Sequence, residues 1–313
     1  MSQTLRGRAV TLMEVSPRDG LQNESTLLPT EQKLALIQHA LDAGLKRIEV
    51  TSFAHPQRVP QMADAEAVCR LLPQRGDVTY TGLVLNRRGF DRLLATERLD
   101  EAGLVIPITD TFAERNQGMS TDACTDMACD VLADARRRGL RAQATIAVAF
   151  GCPFEGEVPL ARILAVAERL AEHEPVEIAL ADTVGVGVPD QVLEIFLALR
   201  DRLGPEVPLR AHFHDTRHTG IANAFAALQA GVETLDASLG GIGGCPFAPQ
   251  AAGNIATEDL VYMLDRMGVG HDADLDALLS GAAWLQQALH KPLPSAVLKA
   301  GGFPARTAAG AAS

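Results

Sequence analysis

Eight short apolar runs, each followed by a segment of helical period, predict a closed (β/α)8 TIM barrel with additional C-terminal helices. Three observations carry that expectation. The runs are rich in valine and isoleucine with little polar alternation, as in parallel strands covered on both faces. They recur along one chain of 313 residues with no break in composition. The length also suits a barrel, which commonly takes roughly 250 residues before insertions. An open doubly wound sheet is the alternative.

In chain order, the strands are expected within residues 10–15, 47–53, 78–85, 102–108, 143–150, 177–181, 209–213 and 234–239. Helical stripes lie between them. Leu34, Ile37, Leu41 and Leu45 form one, with Thr30 placed to cap it and Gly44 near its stop. Leu160, Ile163, Leu164, Ala167 and Leu170 form a second. Val192, Ile195, Phe196, Leu199 and Leu203 form a third, with Pro189 in its first turn, where proline is tolerated. Beyond Asn254, Leu260, Met263 and Leu264 mark one helix and Leu275, Leu278 and Leu279 the next. Residues 1–300 therefore read as a single domain, and residues 301–313, rich in alanine and glycine, as a flexible tail.

Composition narrows the class. With 47% hydrophobic and 21% charged residues the chain can bury a large core, which excludes disorder over most of it. No apolar run approaches the roughly 18 residues of a membrane span, so no membrane partner is expected. The first ten residues lack the apolar core of a secretory signal. Five cysteines are too few, and odd in number, for a disulfide framework; reduced thiols and a cytoplasmic location are expected. A net charge of −11 argues against nucleic acid as a partner. It leaves room for an anionic small molecule, because one metal ion or a few arginines reverse the potential inside a cleft.

Barrel chemistry sits at the C-terminal ends of the strands. Those positions hold Arg18, Asp19 and Gln22 after strand one, Glu49 in strand two, Asn86 after strand three and Asp182 at the end of strand six. Strand seven carries His212 and His214; a glycine-rich stretch, Cys245 and Asn254 follow strand eight. Two histidines two apart on a strand point to one face, here the interior. With Asp19 as an oxygen donor and Asn254 as a fourth, the set suits magnesium or manganese with positions open for substrate. A lone His-x-His is otherwise a hydrogen-bonded pair at a barrel mouth.

Arg18 is either half of a surface salt bridge or a cation that stabilises charge on a substrate oxygen. Glu49, inside an apolar run, must be paired, and orienting Arg18 or a ligand histidine would pair it. Cys245, in a glycine-rich loop, is either an incidental thiol or a lid residue able to act as general acid or base. Cys69, Cys124, Cys129 and Cys152 read as structural. The glycine run matches neither a dinucleotide nor a phosphate fingerprint.

Residues 15–24 (VSPRDGLQNE), 51–62 (TSFAHPQRVPQM), 151–156 (GCPFEG), 182–187 (DTVGVG), 212–216 (HFHDT) and 243–259 (GGCPFAPQAAGNIATED) resemble the hydroxymethylglutaryl-CoA lyases. The resemblance runs through nearly the whole chain, in order. The Arg-Asp and His-x-His pairs are shared with a wider superfamily of metal-dependent lyases and Claisen-type synthases, whereas Gly-Gly-Cys-Pro-Phe is more specific to the lyases. It implies retro-Claisen cleavage of an acyl-CoA thioester, typically 3-hydroxy-3-methylglutaryl-CoA to acetyl-CoA and acetoacetate, as in leucine degradation. It further implies that Asp19, His212, His214 and Asn254 hold a divalent ion. Arg18 would stabilise the enolate oxyanion and Cys245 would protonate its carbon. Glu49 and Asp182 would support the reacting groups, and Gln22 and Asn86 would contact substrate.

Three departures leave the acyl group open. An Arg-Gly-Tyr-Val-Ser run is replaced by Gln143-Ala144-Thr145-Ile146-Ala147; Ser25 stands where a basic residue is usual; and Arg217-His218-Thr219 replaces a Tyr-Gly-Gln type of run. Gln143, Thr145 and Ala147 share one strand face. If it lines the pocket, a related substrate such as a citramalyl-CoA competes, unless a neighbour such as Arg141 restores the charge. A condensing synthase would be expected to carry a further C-terminal domain. A metal-dependent hydrolase would ordinarily place its His-x-His on the first strand, and a scaffold barrel has no need of these residues on one rim. A homodimer is the base-rate assembly.

Overall fold

The computed structural model describes residues 4–244 and 253–303. Its strands are β1 (Thr11–Glu14), β2 (Arg47–Ser52), β3 (Thr79–Val84), β4 (Glu101–Pro107), β5 (Arg141–Ala147), β6 (Ile178–Asp182), β7 (Leu209–Phe213) and β8 (Thr234–Ala237). They close in sequence order into one parallel barrel, β8 pairing back onto β1 from Thr11–Thr234 to Glu14–Ala237. The doubly wound alternative is thereby excluded.

The helices are α1 (Thr30–Asp42), α2 (Ala65–Leu71), α3 (Arg87–Thr96), α4 (Asp110–Gln117), α5 (Thr121–Arg138), α6 (Leu160–Ala171), α7 (Pro189–Leu203) and α8 (Gly220–Gln229). After β8 come α9 (Thr257–Met267), α10 (Leu275–Leu289) and α11 (Ala296–Ala300), with α10 lying against α1 and α11 against α9. Outward strand residues such as Ile48, Leu104, Ile146 and Leu180 are fully buried beneath this ring, which is why the runs read as continuously apolar. Among the described residues no helix is long and apolar enough to cross a membrane.

Local details differ from expectation. Thr30 does not cap α1: Pro29 holds that position, and the Thr30 hydroxyl donates to Asp64 at 2.7 Å, fastening α1 to the start of α2. The apolar run of β5 outlasts its strand because Val148 turns the chain at φ 53°, and Phe150 packs over the rim against Phe196 and Phe213. From residue 304 onward the expected tail lies outside the described residues.

The barrel interior is not the aliphatic filling that usually packs such folds. Glu101, Arg47, Glu177, Arg210 and Asp236 run through it as a chain of ion pairs.

Candidate active site

One wide helical turn, Ser16–Gly20, follows β1 and folds Arg18 and Asp19 over the barrel mouth. It can do so because residue 20 is glycine: a Cβ there would lie 2.8 Å from both the Ile242 side chain and the Ser238 hydroxyl. Arg18 donates from Nε to Glu49 at 2.5 Å and from Nη1 to Asp19 at 2.6 Å. Glu49, on β2, thus finds the partner that its burial demands. Burial nonetheless pushes its carboxyl above the ordinary carboxylate range, against the pull of Arg18. Burial also opposes ionisation of Asp19, but Arg18, His212 and His214 together hold it well below the usual range.

Alternation along β7, carried one residue past its end, turns Arg210, His212 and His214 inward on successive steps. The Nε2 atoms of His212 and His214 stand 3.9 and 3.8 Å from Asp19 Oδ2, and the rings are 5.2 Å apart. Burial, then repulsion by His212, lowers His214 to about 4, so its imidazole is neutral near pH 7. His212 meets Asp236 Oδ2 through Nδ1 at 3.0 Å, which directs Nε2 towards Asp19. Burial alone would lower His212, but Asp236 and Asp19 together outweigh it and raise it.

Asp19, His212 and His214 can hold a metal ion: one donor atom from each lies within 4.8 Å of the others. The donor set, one carboxylate and two imidazoles, fits a divalent cation with hard or borderline preference. Asn254 stands beside it, its Nδ2 donating to Asp19 Oδ2 at 2.8 Å and to the Ile242 carbonyl at 3.0 Å. Its buried Oδ1 has no partner. The amide nitrogen, not the oxygen, therefore faces Asp19 in this arrangement.

A cavity of about 140 Å³ opens below the mouth, lined among others by Arg18, Asp19, Gln22, Glu49, Gln143, Thr145, Arg210, His212 and Asp236. Gln143, Thr145 and Ala147 all face it, while Ala144 and Ile146 pack outward. Arg141 cannot restore the missing charge: it is half-exposed at the opposite end of β5 and pairs with Glu101. Two other expected residues are placed elsewhere. Asn86 does not line the cavity; its Oδ1 accepts from the Gly89 N–H at 2.9 Å and caps α3, as short polar side chains do at helix starts. Asp182 does not line it either; its carboxylate accepts from the Val186 and Gly187 N–H groups at 3.0 and 2.9 Å, shaping the loop before α7. Cys245 lies outside the described residues. Cys69, Cys124, Cys129 and Cys152 are free thiols; burial pushes Cys69 to about 12 and Cys124 to about 11, which makes both unreactive.

Sequence reasoning passed over Arg210 and Asp236. A signal existed for each: Arg210 continues the His-x-His alternation one step down β7, and Asp236 interrupts an apolar strand as Glu49 does.

A family model described as HMGL-like matches residues 9–284. The (R)-citramalyl-CoA lyase of Chloroflexus aurantiacus is 43% identical over 303 residues, spanning 94% of this chain and 95% of that protein. A hydroxymethylglutaryl-CoA lyase of Bacillus subtilis is 40% identical over 288 residues, spanning 92% of this chain and 96% of that one. An HMG-CoA lyase from Acinetobacter baumannii, solved in complex with coenzyme A and 3-methylmalate, superposes with a TM-score of 0.90 at 36% identity, covering 96% of this chain and 97% of that one. With barrel, mouth residues and relatives in agreement, the chain belongs to the HMGL-like family and is a carbon–carbon lyase.

Proposed function

We propose that the enzyme is a divalent-metal-dependent lyase acting on a 3-hydroxyacyl-CoA, converting 3-hydroxy-3-methylglutaryl-CoA to acetyl-CoA and acetoacetate. The observation that carries this reading is the meeting of Asp19 Oδ2 with two histidine nitrogens under 4 Å away, beside a buried arginine. Asp19, His212 and His214 would hold magnesium or manganese, whose charge makes an adjacent substrate hydroxyl easier to deprotonate. Asn254 would join them through Oδ1. Gln22 lines the cavity wall, which supports a contact with the acyl group.

As the hydroxyl gives up its proton to solvent at the mouth, the carbinol carbon becomes a ketone and its bond to the thioester methylene breaks. The electron pair passes to a thioester enolate. Glu49 and Asp19 occupy Nε and Nη1 of Arg18, which leaves Nη2 to stabilise that oxyanion. Cys245 supplies the proton that turns the enolate carbon into the methyl group of acetyl-CoA, and its thiolate recovers a proton from solvent. Asp182 supports the site by holding its loop rather than by touching substrate. The same reading places the enzyme in the cytoplasm, with its thiols reduced, as a homodimer.

A second reading has a specific observation behind it. Gln143 and Thr145 line the cavity, and its two arginines are each paired with two carboxylates. Among the described residues the wall thus offers no unpaired cation to a substrate carboxylate that is remote from the metal. A citramalyl-CoA, whose carboxylate sits on the carbinol carbon next to the hydroxyl, needs none. The test is kcat/KM for a panel of 3-hydroxyacyl-CoA thioesters with magnesium and manganese. Cleavage of hydroxymethylglutaryl-CoA or citramalyl-CoA supports the lyase reading; turnover of neither refutes it.

A further inference from the structure

Arg210 has no part in the chemistry above, yet it stands directly beneath the histidines. We propose that Arg210 is a positioning residue for the metal site: with Asp236 it clamps His212 so that Nε2 faces Asp19. The inference rests on the metal reading of Asp19, His212 and His214.

The contacts are specific. Asp236 Oδ2 accepts from Arg210 Nη1 at 2.6 Å and meets His212 Nδ1 at 3.0 Å, so one oxygen serves both. Arg210 Nη2 donates to the Thr145 hydroxyl at 2.7 Å, and Nε lies 2.9 Å from Glu177 Oε1. The guanidinium is therefore hydrogen-bonded from β5 and β8 and ion-paired with Glu177, one residue before β6. Its planar fork transmits that rigidity to the carboxylate, which a single flexible ammonium cannot do. Without it, Asp236 would keep only the imidazole and would be free to rotate about its last torsion, taking the ring with it. Below, Arg47 bonds both oxygens of Glu177 at 2.8 and 3.0 Å and reaches Glu101 at 3.0 Å, anchoring the clamp to the base of the barrel.

Two other roles for Arg210 fit less well. As a receptor for a substrate carboxylate it is poorly suited, since two carboxylates already neutralise it and both of its terminal nitrogens are engaged. As a mere core ion pair it would have no reason to share the oxygen that orients a ligand histidine. Partners of ligand histidines typically govern metal affinity by 10- to 100-fold.

The test is Mn²⁺ binding to the full chain by titration calorimetry, without substrate. Arg210→Met should weaken binding by roughly 10- to 100-fold. Arg210→Lys should recover only part, because one ammonium cannot reach Asp236 and Thr145 together. Thr145→Val, nearly isosteric, should lose a few-fold. Glu101→Gln, three ion pairs down the chain from Arg210, should lower thermal stability but bind Mn²⁺ as the wild type does. Wild-type affinity in a folded Arg210→Met, or a loss no larger than in Glu101→Gln, overturns the proposal. If Arg210→Met does not fold, unchanged affinity in Thr145→Val overturns it instead. A wild type that binds no Mn²⁺ would remove the metal reading, and this inference with it.

Discussion

Replacing Arg18 by lysine keeps the charge and removes the fork. Nε reaches Glu49 at 2.5 Å and Nη1 reaches Asp19 at 2.6 Å, in different directions from one planar group. A single ammonium can satisfy those two acids only by abandoning the direction of Nη2, the donor assigned to the oxyanion. Loss of one such donor lowers kcat by roughly 10²- to 10³-fold. KM and Mn²⁺ affinity should change little, because Asp19 and the histidines remain. Arg18→Met should have a further effect on folding, since Glu49 and Asp19 are then left without their cation. Breaking a buried pair costs about 3–5 kcal/mol. Adding Glu49→Gln to Arg18→Met removes one stranded charge, so it should restore part of the stability and none of the turnover. The assay is steady-state kinetics at saturating Mn²⁺, paired with urea denaturation of the four proteins. A kcat for Arg18→Lys within threefold of wild type would refute the oxyanion role. No stability regained on adding Glu49→Gln would refute the pairing argument.

Stripping the protein with chelator should abolish activity, and Mg²⁺ or Mn²⁺ should restore it; Asp19→Asn should weaken both metal binding and turnover, and full activity of metal-free protein would contradict this. Cys245→Ser should lower kcat by roughly 10²-fold with metal affinity unchanged, and an alkylated Cys245 that turns over normally would show the thiol to be incidental. Gln143→Arg places an unpaired cation on the cavity wall, so the ratio of kcat/KM for hydroxymethylglutaryl-CoA to that for citramalyl-CoA should rise by an order of magnitude or more; an unchanged ratio would rule this out. A tyrosine at position 145 would be a poorer probe, because Thr145 holds Arg210. Glu258 bears on pH. Burial raises its carboxyl from 4.5 to about 7, where it accepts from the Gly240 N–H at the start of the glycine-rich stretch. The folded state therefore retains a proton that the unfolded chain releases near pH 4.5. This contribution to stability is complete below that pH and lost as pH rises through 7, by about 3 kcal/mol in all. Glu258→Gln should gain stability relative to wild type between pH 5 and pH 8 by urea denaturation, and a pH-independent difference would contradict the shift.

Strand positions and inward faces were legible because both follow from periods of two and 3.6 residues, which are properties of the local chain. That alone aligned His212 with His214, put Gln143 and Thr145 on one face, and required a partner for Glu49. The motifs around Arg18, Asp19 and Asn254 extended the reading to a family. What a side chain finally contacts is not a local property. Asn86 and Asp182 end strands as active-site residues do, yet each is taken by backbone N–H groups of the turn that follows. Asn254 was legible as a neighbour of Asp19, but not that its amide nitrogen would face it.

By itself the sequence determined the order and inward faces of the strands, and with them the residues available to the mouth. Only the tertiary structure decided which of these meet. Arg210, Asp236 and Thr145 come from three different strands and Glu177 from the residue before a fourth, and closure of the barrel gathers them around one guanidinium. Their burial then compels each charge to find its opposite across the interior, a constraint that no local period expresses.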